Sequence, residues 1–69
     1  MRALHLGLVT AFDDDRGLGT VTDRSGRQWP FHCTAIADGT RHIDVGAAVA
    51  FVACSGPLGR DEARELTPL

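Results

Sequence analysis

Lysine is absent from this chain: all seven basic residues are arginine, set against nine acidic ones for a formal net charge of −2. Affinity for a polyanion comes from counterion release, which needs clustered cations. The balance therefore excludes a strong general polyanion binder, although arginine suits bidentate phosphate contact and stacking. Cysteine is scarce. Cys33 and Cys54 are too few for a disulfide framework and fit no metal-ligand spacing. They read as small buried groups in a reduced, cytoplasmic setting. Only three prolines and 43% hydrophobic residues speak against disorder. No run approaches the roughly 18 apolar residues of a membrane span, and Leu4 to Leu8, broken by His5, is too short for a leader. Paired carboxylates and a serine–histidine arrangement are missing as well. No enzymatic chemistry, metal or cofactor is expected. The run Asp13-Asp14-Asp15 lacks the alternating ligands and closing glutamate of a calcium loop.

What is present reads as strands and turns. At 69 residues the chain is expected to be one domain, residues 1–69, near the lower limit for a core without staples. Leu4 to Phe12 suits a first strand, and Asp13 to Gly17 a turn, because aspartate and glycine supply its special backbone angles. Leu18 to Thr22 is a second strand with Val21 inward. Asp23-Arg24-Ser25-Gly26 is a hairpin turn, and Arg27 to Cys33 a third strand. Thr34 to Ala37 reads as a short helical turn, followed by a long connection from Asp38 to Asp44. Ala47 to Cys54 is an apolar run of strand length, Ser55 to Gly59 a turn, and Glu62 to Leu66 a last strand. A helix over Arg60 to Leu66 is the alternative on propensity; a strand is preferred because it closes a five-strand barrel.

The spacing of these segments resembles the cold-shock proteins. Their pattern G-x-V-x-W-F-N-x-x-K-G-F-G-F-I meets Gly7-Leu8-Val9-Thr10-Ala11-Phe12 and continues to Arg16-Gly17-Leu18-Gly19-Thr20-Val21 without a gap. Their V-F-V-H-F-S-A-I meets Trp29-Pro30-Phe31-His32-Cys33-Thr34-Ala35-Ile36. The tail recurs as Gly46 to Phe51, Gly56-Pro57, Gly59 and Glu62 to Leu66. The resemblance implies an all-β, five-stranded antiparallel barrel of the OB type. It also implies an outer face on the first three strands that binds single-stranded RNA or DNA, with rings stacking on bases and cations meeting the backbone.

Carried over position by position, the resemblance leaves few rings. The stacking tryptophan is Ala11, two phenylalanines are Leu18 and Thr20, and the aromatics of the second segment are Pro30 and Cys33. An aromatic of the long connection falls near Thr40, and lysines of the first strand become Leu8 and Thr10. Arg16, His32 and Phe12 survive. The expected nucleic-acid contacts are thus Phe12, Arg16, Leu18, Thr20, Pro30, His32 and Arg41, with weak binding and little sequence preference.

Alternation decides Trp29 and Phe31. With Pro30 and His32 outward, both rings face the core; a distortion at Pro30 would shift that parity. His32 reads equally as a donor to nucleic acid and as a solvated surface histidine. Arg16 follows three aspartates that lower its local potential, and Arg24, Arg27 and Arg41 read by default as solvated turn charges. Leu8, Leu18 and Pro30, with Ala11, form a candidate aliphatic patch. That patch supports a second reading, a protein-interaction or self-association module that has abandoned nucleic acid.

Overall fold

The computed structural model describes residues 4–55 and 61–69. Five strands follow in chain order: β1 (Leu4–Asp13), β2 (Leu18–Asp23), β3 (Gln28–His32), β4 (Ala48–Ser55) and β5 (Asp61–Pro68), with a 3-10 turn at Cys33–Ala35 between β3 and β4. They lie in the order β3-β2-β1-β4-β5, and every neighbouring pair is antiparallel. The all-β expectation holds, and Asp61 to Pro68 is strand rather than helix. The helical turn starts one residue earlier than expected, at Cys33. The turn expected after Ser55 falls on residues 56–60, outside the described ones.

The sheet curls until its two ends meet. Arg27, just before β3, donates to Asp61 Oδ2 of β5 at 2.8 Å. Past the 3-10 turn, Ile36 bridges Leu66 in parallel, and the Ala37 N–H donates to the Leu66 carbonyl at 2.8 Å. Inside lie Val9, Val21, Trp29, Phe31, Ile36, Ile43, Val49, Phe51, Ala63 and Leu66. Ile43 anchors the long connection, which otherwise runs over the surface.

Strict alternation alone would not build this core, because Val9 and Phe12 of β1 both turn inward three residues apart. A β-bulge reconciles them. The pairing steps from Val9↔Val21 to Ala11↔Thr20, so Thr10 is an extra residue on β1. Thr10 and Ala11 are both exposed, and Phe12 swings to the inner side. On β5 the pairing steps from Val52↔Arg64 to Ala50↔Thr67, so the extra residue lies at Glu65–Leu66. Glu65 there adopts φ 53°, the left-handed region that costs a non-glycine residue free energy. This bulge points Ala63 and Leu66 inward together, at 1% and 0% exposure.

The β1–β2 turn depends on Gly17, at φ 65°. Its N–H donates to the Asp13 carbonyl at 2.8 Å, and Asp13 Oδ1 accepts from the N–H groups of Asp15 and Arg16. Two residues on, Gly19 lies under the Phe31 ring. A Cβ at Gly19 would run into that ring and stand 2.8 Å from the Ala11 carbonyl oxygen. Pro30 causes no shift of parity. It lies on β3, at the end of the ladder order, where one side of the strand carries no ladder and proline is tolerated.

The contact between Gly19 and Phe31 is testable. Gly19→Ala overpacks this site and is expected to cost about 1–3 kcal/mol. Its thermal midpoint should fall by roughly 5–20 °C, as a domain of this size responds. A midpoint within a degree or two of the parent would contradict the close approach.

Candidate nucleic-acid interface

The outer face of β1 to β3 is assembled from cross-strand rows. His32, Leu18 and Asp13 form one row, Pro30, Thr20 and Ala11 the next, and Gln28, Thr22 and Leu8 a third. Thr10 joins the last two: its hydroxyl lies 2.9 Å from that of Thr22 and donates to the Thr20 carbonyl at 3.4 Å. The surface is thus aliphatic and hydroxylic. Leu18, Pro30 and His32 are exposed on it, and Thr20 is half-buried.

No tryptophan or phenylalanine ring faces outward. The chain has one tryptophan and three phenylalanines and no tyrosine, and all four rings belong to the inner side. Trp29, Phe31 and Phe51 are 4%, 2% and 0% exposed. Phe12, expected at the site, is half-buried and packs against the core. The bulge at Thr10 turns it against Phe31, stacked at 5.9 Å between centroids, with the edge of His42 at 5.7 Å. Its ring is therefore not offered beside Ala11.

The polar groups around this face differ in how firmly they are held. The Thr34 N–H donates to His32 Nδ1 at 3.2 Å, capping the 3-10 turn. A backbone N–H can only donate, so the neutral His32 ring carries its proton on Nε2. That atom lies over Gly17, where a Cβ would be 3.9 Å away. Arg16 is paired only loosely, its Nε 3.9 Å from Asp13 Oδ2 with both side chains largely exposed. Such a contact contributes little. Arg41 is exposed and has no ion pair among the described residues. Arg27 is committed, its guanidinium 4.1 Å over the Trp29 ring and bonded to Asp61. Thr40, near which the resemblance placed an aromatic, bonds Asp38 and the His42 carbonyl.

Two devices escaped the sequence reading. Asp23 gathers four donors: the Ser25 N–H and hydroxyl and the Arg27 N–H on Oδ1, and the Trp29 indole N–H on Oδ2 at 2.9 Å. The serine and indole bonds foremost hold its carboxyl at about 2, well below the ordinary 3.8. His42 bridges two carboxylates, Asp14 of the β1–β2 turn at 2.6 Å from Nδ1 and Asp44 at 2.9 Å from Nε2. The bond to Asp14, then that to Asp44, raises its pKa above the usual 6.5. The long connection is thereby clasped to the turn that carries Arg16. Among the described residues no three His, Cys, Asp or Glu side chains converge as a metal site requires.

The aliphatic patch expected of Leu8, Leu18, Pro30 and Ala11 is divided. Leu8 pairs with Thr22 and Leu18 with Asp13, at opposite ends of β2, and the threonines at 10, 20 and 22 lie between them. Leu8 instead continues a line of exposed leucines, Leu4 and Leu6, on β1.

No family model matches the chain. Two curated proteins do: Cold shock protein CapB of Pseudomonas syringae pv. tomato and Cold shock protein CapB of Pseudomonas fragi. Each is 37% identical over 54 residues, 77% of this chain and 78% of the relative. The chain belongs to the cold-shock protein family. In this cold-shock protein the strand frame is kept while the rings are concentrated on the inner side.

Both carboxylate devices make stability depend on pH, with opposite signs. Asp23 is more acidic folded than unfolded, so its contribution is present above about pH 4 and is lost as pH falls towards about 2. His42 is more basic folded than unfolded. Its contribution is complete below 6.5 and is lost as pH rises through the raised value. The thermal midpoint should peak between these limits and decline gently above pH 6.5, less steeply in high salt. His42→Asn should remove the alkaline decline and leave the acid one, as read by calorimetry across pH; an unchanged alkaline decline would show that the clasp does not form.

Proposed function

We propose that this cold-shock protein binds single-stranded RNA or DNA weakly and with little sequence preference, through the outer face of β1 to β3. The observation that carries this reading is the frame itself. The rows of Leu18, Thr20, Pro30 and His32 supply a continuous outer face, and Arg16 and Arg41 are both exposed. Leu18 and Pro30 cover base faces without the quadrupole of a ring. His32 donates from Nε2 to a base or phosphate oxygen, and Arg16 and Arg41 meet the backbone. Phe12 is left out of this set because its ring is engaged with Phe31 and His42.

Magnitudes set the strength. Base–aromatic stacking is worth about 1–3 kcal/mol per base. Three missing stacks at the low end remove roughly 3 kcal/mol, about a hundredfold in affinity. Cations do not compensate, since the chain carries a net charge of −2 and Asp13, Asp14 and Asp15 stand beside Arg16. Low sequence preference follows from the same inventory, because aliphatic cover and phosphate contacts read no base edge.

Backbone-amide NMR titration with short single-stranded oligonucleotides tests this at several salt concentrations. Shifts are expected at Leu18 to Thr20 and Gln28 to His32. With one or two phosphates of a single strand neutralised, log K should fall against log salt with a slope of about −0.7 to −1.4. Trp29 fluorescence should not be quenched, since its indole is in the core. Absence of shifts at millimolar oligonucleotide would sink the nucleic-acid reading.

A further inference from the structure

His42 lies outside every strand, in the connection between the 3-10 turn and β4. Both of its ring nitrogens nevertheless face carboxylates. Nδ1 is 2.6 Å from Asp14 Oδ1 of the β1–β2 turn, and Nε2 is 2.9 Å from Asp44 Oδ1 of its own segment. A neutral imidazole carries one N–H and one bare lone pair, so only the imidazolium donates from both nitrogens. The two-sided clasp is therefore the geometry of the charged ring. Deprotonation leaves at most one of the hydrogen bonds and sets a lone pair against the other carboxylate.

The clasp joins the two segments that carry the cations of the proposed interface. Arg41 directly precedes His42, and Arg16 follows Asp14 by two residues in a turn fixed by the Asp13 side chain. That turn continues into the outer row of Asp13, Leu18 and His32. From β1, His42 meets the uncharged Phe12 ring at 5.7 Å. From its own segment, Asp38 is held by the Thr40 N–H and hydroxyl. Residues 13–17 and 41–44 set Asp13, Asp14, Asp15 and Asp44 against Arg16 and Arg41. Their net charge is −1 with His42 charged and −2 with it neutral.

We propose that His42 is a positioning residue of the nucleic-acid interface. Its imidazolium holds the Arg16 and Arg41 segments together and offsets their aspartates, so a single strand binds more tightly in mild acid than in mild base. This rests on the nucleic-acid reading above and adds its regulation by protons. The two consequences of losing the proton act in one direction. The connection is released from the turn, and the negative charge met by an incoming phosphate doubles. Linkage is reciprocal, so a bound phosphate backbone favours the charged ring and binding takes up protons. His42 and both carboxylates are largely exposed, and solvent and salt screen the effect. That puts it at the low end of couplings between sites, about fivefold.

Oligothymidylate titrations of the whole chain test this, followed by amide NMR in low salt at about pH 5.5 and pH 8.5, either side of an ordinary histidine pKa. The bond to Asp14 foremost places the change above 6.5. His32 lies on the face and also gains charge in acid, so the readout is the difference between parent and variant. The acid-to-base affinity ratio should fall about fivefold in His42→Asn. It should fall too in Asp14→Asn, which cuts the clasp from the other side. In the parent, the titration midpoint of the His42 ring should rise by about 0.7 pH unit when oligonucleotide is bound, the same fivefold read in reverse. A purely structural His42 would leave that midpoint unmoved. A ratio unchanged in either folded variant, or a midpoint unmoved by binding, would overturn the proposal and leave the interface standing. Absence of binding at both pH values would remove the interface, and this proposal with it.

Discussion

An indole N–H inside a protein must have a partner, and in this barrel the Asp23 carboxylate supplies it. The bond at 2.9 Å brings Trp29 into the core with its one polar atom satisfied. The same carboxylate closes the β2–β3 hairpin through Ser25 and Arg27. Much follows from that arrangement. With Trp29 inward, Phe31 is inward two residues later, Gly19 must lack a side chain beneath it, and Phe12 can stack on its far side. Pro30 and His32 are turned outward by the same parity. No buried side-chain nitrogen or oxygen among the described residues is left without a partner. The core is therefore apolar apart from polar atoms that reach its rim.

That commitment of rings also shapes the function. A small barrel with four aromatic residues can place them inside for stability or outside for stacking, and this chain places all of them on the inner side. The outer face is left to leucine, proline, threonine and one histidine. On the proposed reading such a face keeps the strand frame of a cold-shock surface without the stacking energy of outward rings. The clasp of His42 between Asp14 and Asp44 then holds the connection that carries Arg41 against the turn that carries Arg16. Arg16 and Arg41 are in this way kept on anchored loops.

Much of this was legible in the sequence because it is local. The five strands, the glycine and aspartate turns and the inward direction of Trp29 and Phe31 follow from alternation and turn chemistry. The choice of strand over helix at Asp61 to Pro68 followed from the need to close the barrel rather than from propensity. What escaped depends on pairing between distant segments. A bulge is an offset between two strands, so neither Thr10 nor Glu65 announces itself by residue type, and the inward turn of Phe12 was missed with the first of them. His42 stands 28 residues from Asp14 in the chain, and nothing local links them.

Returning rings to the frame tests most directly the idea that this is a cold-shock surface weakened by their loss. The triple variant Ala11→Trp, Leu18→Phe, Thr20→Phe places three rings on adjacent outer positions without touching the core. Its affinity for a short single-stranded oligonucleotide should exceed the parent's by about a hundredfold or more, from at least 1 kcal/mol per stack. The Trp29 indole resonance should stay where it is. A folded variant that binds no more tightly than the parent would contradict the claim that the missing rings weaken this face.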